Sequence, residues 1–237
     1  MYSPIDTLQA TAKHLQDNIK GHAIMGIAWF FGIQFFVWGL MIVMFVGMFG
    51  GIAITSQSEE LGGVAMLGVI GVGVLFYMAF ILAIMMVMYG YQRAALKEID
   101  GEGDVTFGGV FSGALACIGT IIALGFVNSF LSIVGILMCY VGIFVTVVPL
   151  RFTFLLTVDK GLGLTDAMSL AWSTFWARPA DHFICFLTEM GISLVLSLIP
   201  LIGPMIALPA IVVFDVKSYR AFFPREGGSA AMSTTPA

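Results

Sequence analysis

Long apolar blocks set the strongest constraint on the fold of this chain. The runs 24–54 and 61–91 are longer than the ~20 residues that a helix needs to cross a bilayer. They lack the alternating pattern of a transmembrane β-barrel strand. In lipid the backbone must satisfy its own hydrogen bonds, which a helix does within one segment. The sequence therefore predicts an all-α, polytopic membrane protein.

Charge content excludes a water-soluble domain. Charged residues make up 10% of the chain, whereas a soluble domain is about 25% charged. The three cysteines lie far apart inside apolar blocks, so they are expected to be packing thiols.

Six transmembrane helices account for the apolar blocks. In order, they are predicted within 24–54, 61–91, the two parts of 113–156 divided near 129–135, 180–199 and 205–219. Pro149 is expected to kink the fourth helix. The prediction is a single transmembrane domain over 1–223, followed by a disordered cytoplasmic tail over 224–237.

Amphipathic segments precede three of the spans. Ser3 and Pro4 predict a helix start, and the apolar face that follows predicts an interfacial helix ending near Gly21. A charged surface segment over 93–113 precedes the third span. A second amphipathic helix is predicted over 164–178, with Trp172 and Trp176 as anchors in the interfacial aromatic belt.

The basic residues predict the orientation. Nine of the ten Lys and Arg lie before the first, third or fifth span or at the end of the chain. The opposite loops 55–60, 129–135 and 200–204 have none. By the positive-inside rule, both termini are predicted in the cytoplasm, in a multi-pass protein of the cell inner membrane.

Arg151 and Glu189 are the candidate site residues, because they lie well inside apolar runs. Arg151 is eight residues before Asp159, about 12 Å along a helix, and Glu189 is ten residues after Pro179, about 15 Å. Buried charge in lipid is costly and is usually paired or functional. The two side chains form a candidate intramembrane ion pair. The alternative is that Arg151 snorkels to lipid phosphates while Glu189 is protonated.

Other motifs give no catalytic, cofactor or metal site. The acidic turn at 100–106 lacks the Gly and Glu that a calcium loop needs. Ser193 has no base within its span, since the three histidines are predicted near the membrane surface. His14, Asp17 and His22 have metal-binding side chains, but dispersed polar residues on a surface helix are usually solvated. No metal ligand is therefore assigned.

Short motifs in the second half resemble those of a broad group of bacterial integral membrane proteins of unknown function. The group includes the membrane domain attached to some glycerophosphoryl diester phosphodiesterases. The matching residues are Gly101-Glu102, Phe107-Gly108, Phe111-Ser112-Gly113, Pro149, Val158-Asp159, 161–163, 167–172 and Ser218-Tyr219-Arg220. The resemblance implies six helices and no established activity. The sequence holds no phosphodiesterase domain, so the resemblance does not imply phosphodiesterase activity for this chain.

Function is predicted only in outline. We expect a non-enzymatic envelope or assembly factor that works through its cytoplasmic surface helices. The alternative is a small-solute or ion transporter that uses Arg151 and Glu189. Expected partners are membrane lipids and either a membrane protein or a second copy of the chain, with no nucleic acid and no cofactor.

Overall fold

The computed structural model describes residues 2–55, 59–137 and 148–225. This part of the chain contains nine helices and no strand. The helices are α1 Pro4–Asp17, α2 Ile19–Thr55, α3 Glu59–Ile99, α4 Phe107–Ala116, α5 Ile118–Leu137, α6 Thr153–Lys160, α7 Leu164–Ala177, α8 Pro179–Ser197 and α9 Ile202–Phe222. The all-α prediction is confirmed.

Five of the described helices are long and apolar enough to cross a membrane. The candidate spans are Ile19–Gly47, Ile70–Ile99, Ile118–Gly135, Pro179–Ser197 and Ile202–Phe222. They are the helices of a multi-pass membrane protein. About half of the predicted fourth span, residues 138–147, lies outside the described residues, as does most of the tail over 224–237.

Local capping explains the first helix. The Ser3 side chain accepts a hydrogen bond from the Asp6 backbone N–H at 3.3 Å, and Pro4 occupies the first helical position. The predicted end near Gly21 is wrong. Asn18 ends α1, its backbone N–H donating to the His14 carbonyl, and Gly21 lies inside α2.

One predicted boundary agrees with the structure and one differs. The candidate span in α5 ends at Gly135, inside the predicted dividing stretch 129–135, and the described part of α5 reaches Leu137. The surface segment predicted over 93–113 is mostly helical. Its first part extends α3 to Ile99, and its last part is α4, capped by the Thr106 side chain.

The described residues divide into two compact units, 1–26 with 86–237 and 27–85. In the first unit α9 is central, because it packs against α8 and against α1. Gly26 allows a close approach of α2 to α9: a Cβ there would lie 1.9 Å from the Met205 carbonyl oxygen. Most of the buried polar groups described below lie around α9.

The second unit consists of parts of α2 and α3. Phe36 stacks on Phe76 and Phe80, with ring centroids 4.3 and 3.7 Å apart. Many other large apolar side chains in this unit are exposed, including Phe35 and Leu75. Such exposure fits a surface that faces lipid rather than water.

Candidate functional site: a buried ion cluster

Arg151 lies in a two-residue turn between a short helical stretch at 148–150 and α6. Its Nη2 donates to Glu189 Oε2 on α8 at 2.7 Å. The guanidinium also lies over the ring of Phe152, 4.9 Å from the centroid. The structure thus brings together the two charges that the sequence singled out.

A second carboxylate completes the cluster. The same Nη2 of Arg151 donates to Asp215 Oδ1 on α9. Asp215 Oδ2 accepts a hydrogen bond from Gln92 Nε2 on α3 at 3.3 Å. Four polar side chains from four segments therefore meet inside unit 1, and we call Gln92, Arg151, Glu189 and Asp215 the ion cluster.

The ion cluster carries more acid than base. One guanidinium faces two carboxylates, and the Arg151 and Asp215 side chains are only 8% and 13% exposed. Arg151 Nη1 and Gln92 Oε1 are buried without a hydrogen-bond partner among the described residues. A buried donor and a buried acceptor left unpaired are costly. Chemically, the surplus carboxylate is able to hold a proton or a small cation.

A second group of charges lies around Arg220, near the end of α9. Its Nη1 and Nη2 donate to the two oxygens of Asp159 at 2.7 and 2.8 Å, and it also donates to Asp100. Arg225 donates to Glu102 at 2.5 Å. These contacts join the 100–106 turn, the end of α6 and the end of α9. We call this region, together with α1, the terminal face.

Asp159 is held ionised at the terminal face. Burial disfavours its charged form, but hydrogen bonds from Arg220 and Tyr219 and the charge of Arg220 outweigh burial. The pKa of this carboxyl is therefore lowered from its ordinary value. Asp159 precedes Gly161, whose φ of 63° turns the chain toward α7.

Three further polar side chains meet where α1, α2 and α3 adjoin. His14 Nε2 and His22 Nε2 each lie 2.8 Å from Glu98 Oε2. His22 Nδ1 lies 2.5 Å from the Tyr91 hydroxyl oxygen. Asp17, which the sequence grouped with the two histidines, is not in this cluster; Glu98 takes its place.

The two tryptophans of α7 point outward. Ala167, Ala171 and Phe175 form the buried face of this helix, whereas Trp172 and Trp176 are 39% and 57% exposed. A surface pocket of about 730 Å³ beside Trp172 is lined mainly by apolar side chains of α5 and α7. An outward pair of tryptophans suits a lipid interface.

Asp215 and Glu98 were missed by reasoning from the sequence. Asp215 stands in the run Val212–Lys217, near the end of a span, where a charge is easily taken as a boundary residue. The signal available was a carboxylate between apolar residues on both sides. Glu98 follows Lys97 in a surface segment where charged and apolar residues are mixed, so only its tertiary contacts distinguish it.

Comparison with protein-family models, with curated proteins and with solved structures gives no match. The functional argument therefore depends on the side chains themselves.

Proposed function

We propose that the chain is a non-enzymatic envelope or assembly factor of the inner membrane, with six spans and both termini in the cytoplasm. In this proposal the terminal face is the cytoplasmic face. It carries five of the ten basic residues, Lys13, Lys160, Lys217, Arg220 and Arg225, in line with the positive-inside rule. The face works by binding a partner protein.

The ion pairing of the terminal face carries the proposal. Arg220 connects Asp100 to Asp159, and Arg225 contacts Glu102. The 100–106 turn, the end of α6 and the end of α9 are therefore held in one arrangement. Bidentate and networked pairs of this kind fix geometry better than isolated surface pairs. A preorganised surface loses less conformational entropy when a partner binds.

A polar cleft in this face offers a place for such a partner. The cleft has a volume of about 300 Å³, and Arg93, Lys97, Glu102 and Asp104 are among its lining residues. Charges of both signs around one cleft match a polar peptide segment rather than an acyl chain. A protein partner is therefore favoured over a lipid at this position.

The positions of Ser193 and His182 favour a non-enzymatic role. Both lie on α8, eleven residues apart, which corresponds to about 16 Å along a helix. His182 is enclosed by aromatic rings, among them Phe222 at 4.1 Å between centroids. A nucleophile and its base must lie within hydrogen-bond reach, and these two do not.

Site-specific photocrosslinking in native membranes tests the proposal. A photoreactive amino acid at Lys97 or Asp104, both of which line the cleft, should give a discrete protein–protein product. The same residue at Leu194, which is exposed near the other end of α8, is the matched control and should crosslink to lipid. Arg220→Ala should weaken the Lys97 product. Lipid adducts alone at all three positions would refute the proposal.

The ion cluster favours a second candidate, transport of protons or small cations. The supporting observation is the second carboxylate beside Arg151, at a depth where ionisable side chains usually mark ion pathways. Purified protein in liposomes with an internal pH dye should then show proton flux, abolished by Glu189→Gln. Flux equal to that of empty liposomes would eliminate this candidate and leave the first one standing.

A further inference from the structure

The side chains of His14, His22 and Glu98 form a set of metal-type donors contributed by three helices. Their ligand atoms all lie within 4.8 Å of one another. The set is nearly buried, with side chains 13%, 3% and 7% exposed, respectively. Histidine and carboxylate groups this close and this enclosed differ from ordinary solvated surface residues.

The donor chemistry matches a zinc-type cation. Two imidazoles and one carboxylate, with a fourth position for water, form a recurrent zinc ligand set. Bonds of about 2.0–2.2 Å place tetrahedral donor atoms about 3.3 Å apart. Both histidine nitrogens now lie 2.8 Å from Glu98 Oε2, a hydrogen-bond distance. A metal takes the place of the two Nε2 protons, which shift to the Nδ1 atoms of the imidazoles. Each histidine nitrogen must then move about half an ångström from Glu98 Oε2, and the two nitrogens, now within 4.8 Å of each other, must reach a similar separation.

Tyr91 can form a hydrogen bond with either tautomer of His22. Its hydroxyl lies 2.5 Å from His22 Nδ1, and its side chain is fully buried. A hydroxyl both donates and accepts, so it serves the tautomer that binds a metal through Nε2 as well as the other one. Such an outer partner orients a metal-binding imidazole.

The third ligand is also held in place. Glu98 Oε1 accepts a hydrogen bond from the Val105 backbone N–H at 3.3 Å, which directs Oε2 toward the histidines. Gly21 permits this arrangement, because a Cβ there would lie 2.5 Å from the Val105 carbonyl oxygen. Any larger residue at position 21 would push α2, and with it His22, away from the 100–106 turn.

A route for ions reaches the cluster. Glu98 forms part of the wall of a surface pocket of about 600 Å³, which Asp17 and Asp104 also line. Their carboxylates attract cations. Two lysines repel cations and so oppose this attraction: Lys20 lines the pocket, and Lys217 interacts electrostatically with Glu98.

We propose that His14, His22 and Glu98 bind a divalent transition-metal cation of the zinc type, with the fourth position open to water. Binding joins α1 to the start of α2, through His22, and to the end of α3, through Glu98. The proposal is independent of the partner-binding function and of transport.

Metal titration of the full-length protein tests the site. The chain is purified in detergent with an affinity tag free of histidine, and Co²⁺ is titrated while its visible absorption is recorded. We expect saturation at one Co²⁺ per chain and displacement by Zn²⁺. No saturable binding by the wild type would show a hydrogen-bond network only and would overturn the proposal.

Variants assign the ligands. Tyr91→Phe removes only an outer partner and should weaken binding by about 10–100-fold. His14→Gln, His22→Gln and Glu98→Gln each remove a ligand and should weaken it more. Asp6→Asn, an exposed position of α1 outside the cluster and its pocket, is the matched control and should bind as the wild type does. Undiminished binding in the His14→Gln/His22→Gln double variant would refute the assignment. Pulsed EPR of Cu²⁺ on the wild type gives a readout that needs no variant: two coupled imidazoles are expected, and none would refute the site.

Discussion

Arg220 binds both carboxylate oxygens of Asp159, from 2.7 and 2.8 Å, and the two residues are 61 positions apart in the chain. Bidentate pairs of this geometry are among the stronger charge-assisted hydrogen bonds in proteins. Because Asp100 binds the same guanidinium, one arginine holds three separate segments of the terminal face together.

The first prediction concerns the pH dependence of this contact. The pKa of Asp159 is lowered in the folded protein, so its contribution to stability is fully present above the ordinary value of 3.8 and is lost as the pH falls through the lower folded value. Asp159→Asn should lower the melting temperature at neutral pH. The difference between wild type and variant should shrink below about pH 4. Thermal unfolding in detergent across pH 3–7 measures it, and a difference that is constant over this range would contradict the assignment.

The second prediction is a double-mutant cycle on the ion cluster. Arg151→Ala strands two carboxylates, Glu189 and Asp215, and should cost about 3–5 kcal/mol. Glu189→Ala should cost less, since Arg151 keeps Asp215. The double variant should lose clearly less than the sum of the single losses, as measured by thermal stability in detergent. Strictly additive losses would show that the two side chains do not interact energetically.

The third prediction concerns topology. Single cysteines at Ser58 and at Ser229, in a background without native cysteines, should label from opposite sides of the membrane. The reason is the absence of Lys and Arg from the loop 55–60 and their enrichment toward the chain end. A membrane-impermeant maleimide applied to spheroplasts and to inverted vesicles measures this. Labelling of both positions from one side would mean that a span has been miscounted.

The fourth prediction concerns the close approach of α2 to α9. Gly26→Ala places a methyl group 1.9 Å from the Met205 carbonyl oxygen, so the helices must separate. Overpacking of this kind costs about 1–3 kcal/mol. Gly32→Ala is the control on the same helix, because no atom lies within 4 Å of its added methyl. Equal melting temperatures for the two variants would rule out the tight contact.

The fifth prediction tests the interfacial role of α7. In single-tryptophan variants, Trp176 should be quenched best by lipids brominated near the headgroup. Trp38, which is 62% exposed in the middle of α2, is the control and should be quenched best by lipids brominated deep in the chain. If deep bromines quench Trp176 most strongly, α7 does not lie at the interface.

Local patterns were sufficient to predict the helices but not all their ends. Ser3 and Pro4 mark the start of α1 because capping depends on adjacent residues. The end of α1 was misplaced, because Asn18 ends this helix and Gly21, a residue type that often follows a helix end, lies inside α2. A glycine is therefore a weaker boundary signal than a side chain that caps the backbone.

Only part of the candidate site could be predicted from the sequence. Arg151 and Glu189 stood out because each interrupts an apolar run, and depth along the helices brought them to similar levels. Asp215 joins them from α9, and no local pattern specifies which helix packs there. Glu98 likewise acquires its role only through contacts with His14 and His22, 84 and 76 positions away.

The contact between the first and last helices has a consequence for biogenesis. The Tyr2 hydroxyl lies 3.0 Å from Ser218 Oγ, 216 residues later, and its ring stacks on Phe222. At about 5–20 residues per second, the ribosome completes α9 roughly 10–40 s after α1 has emerged. During that interval the N-terminal helix lacks its packing against α9 and has only its contacts with helices made earlier, such as that of His14 with Glu98. The packing of Tyr2 against α9 is therefore a late event in folding, and a nascent chain halted before α9 would lack it.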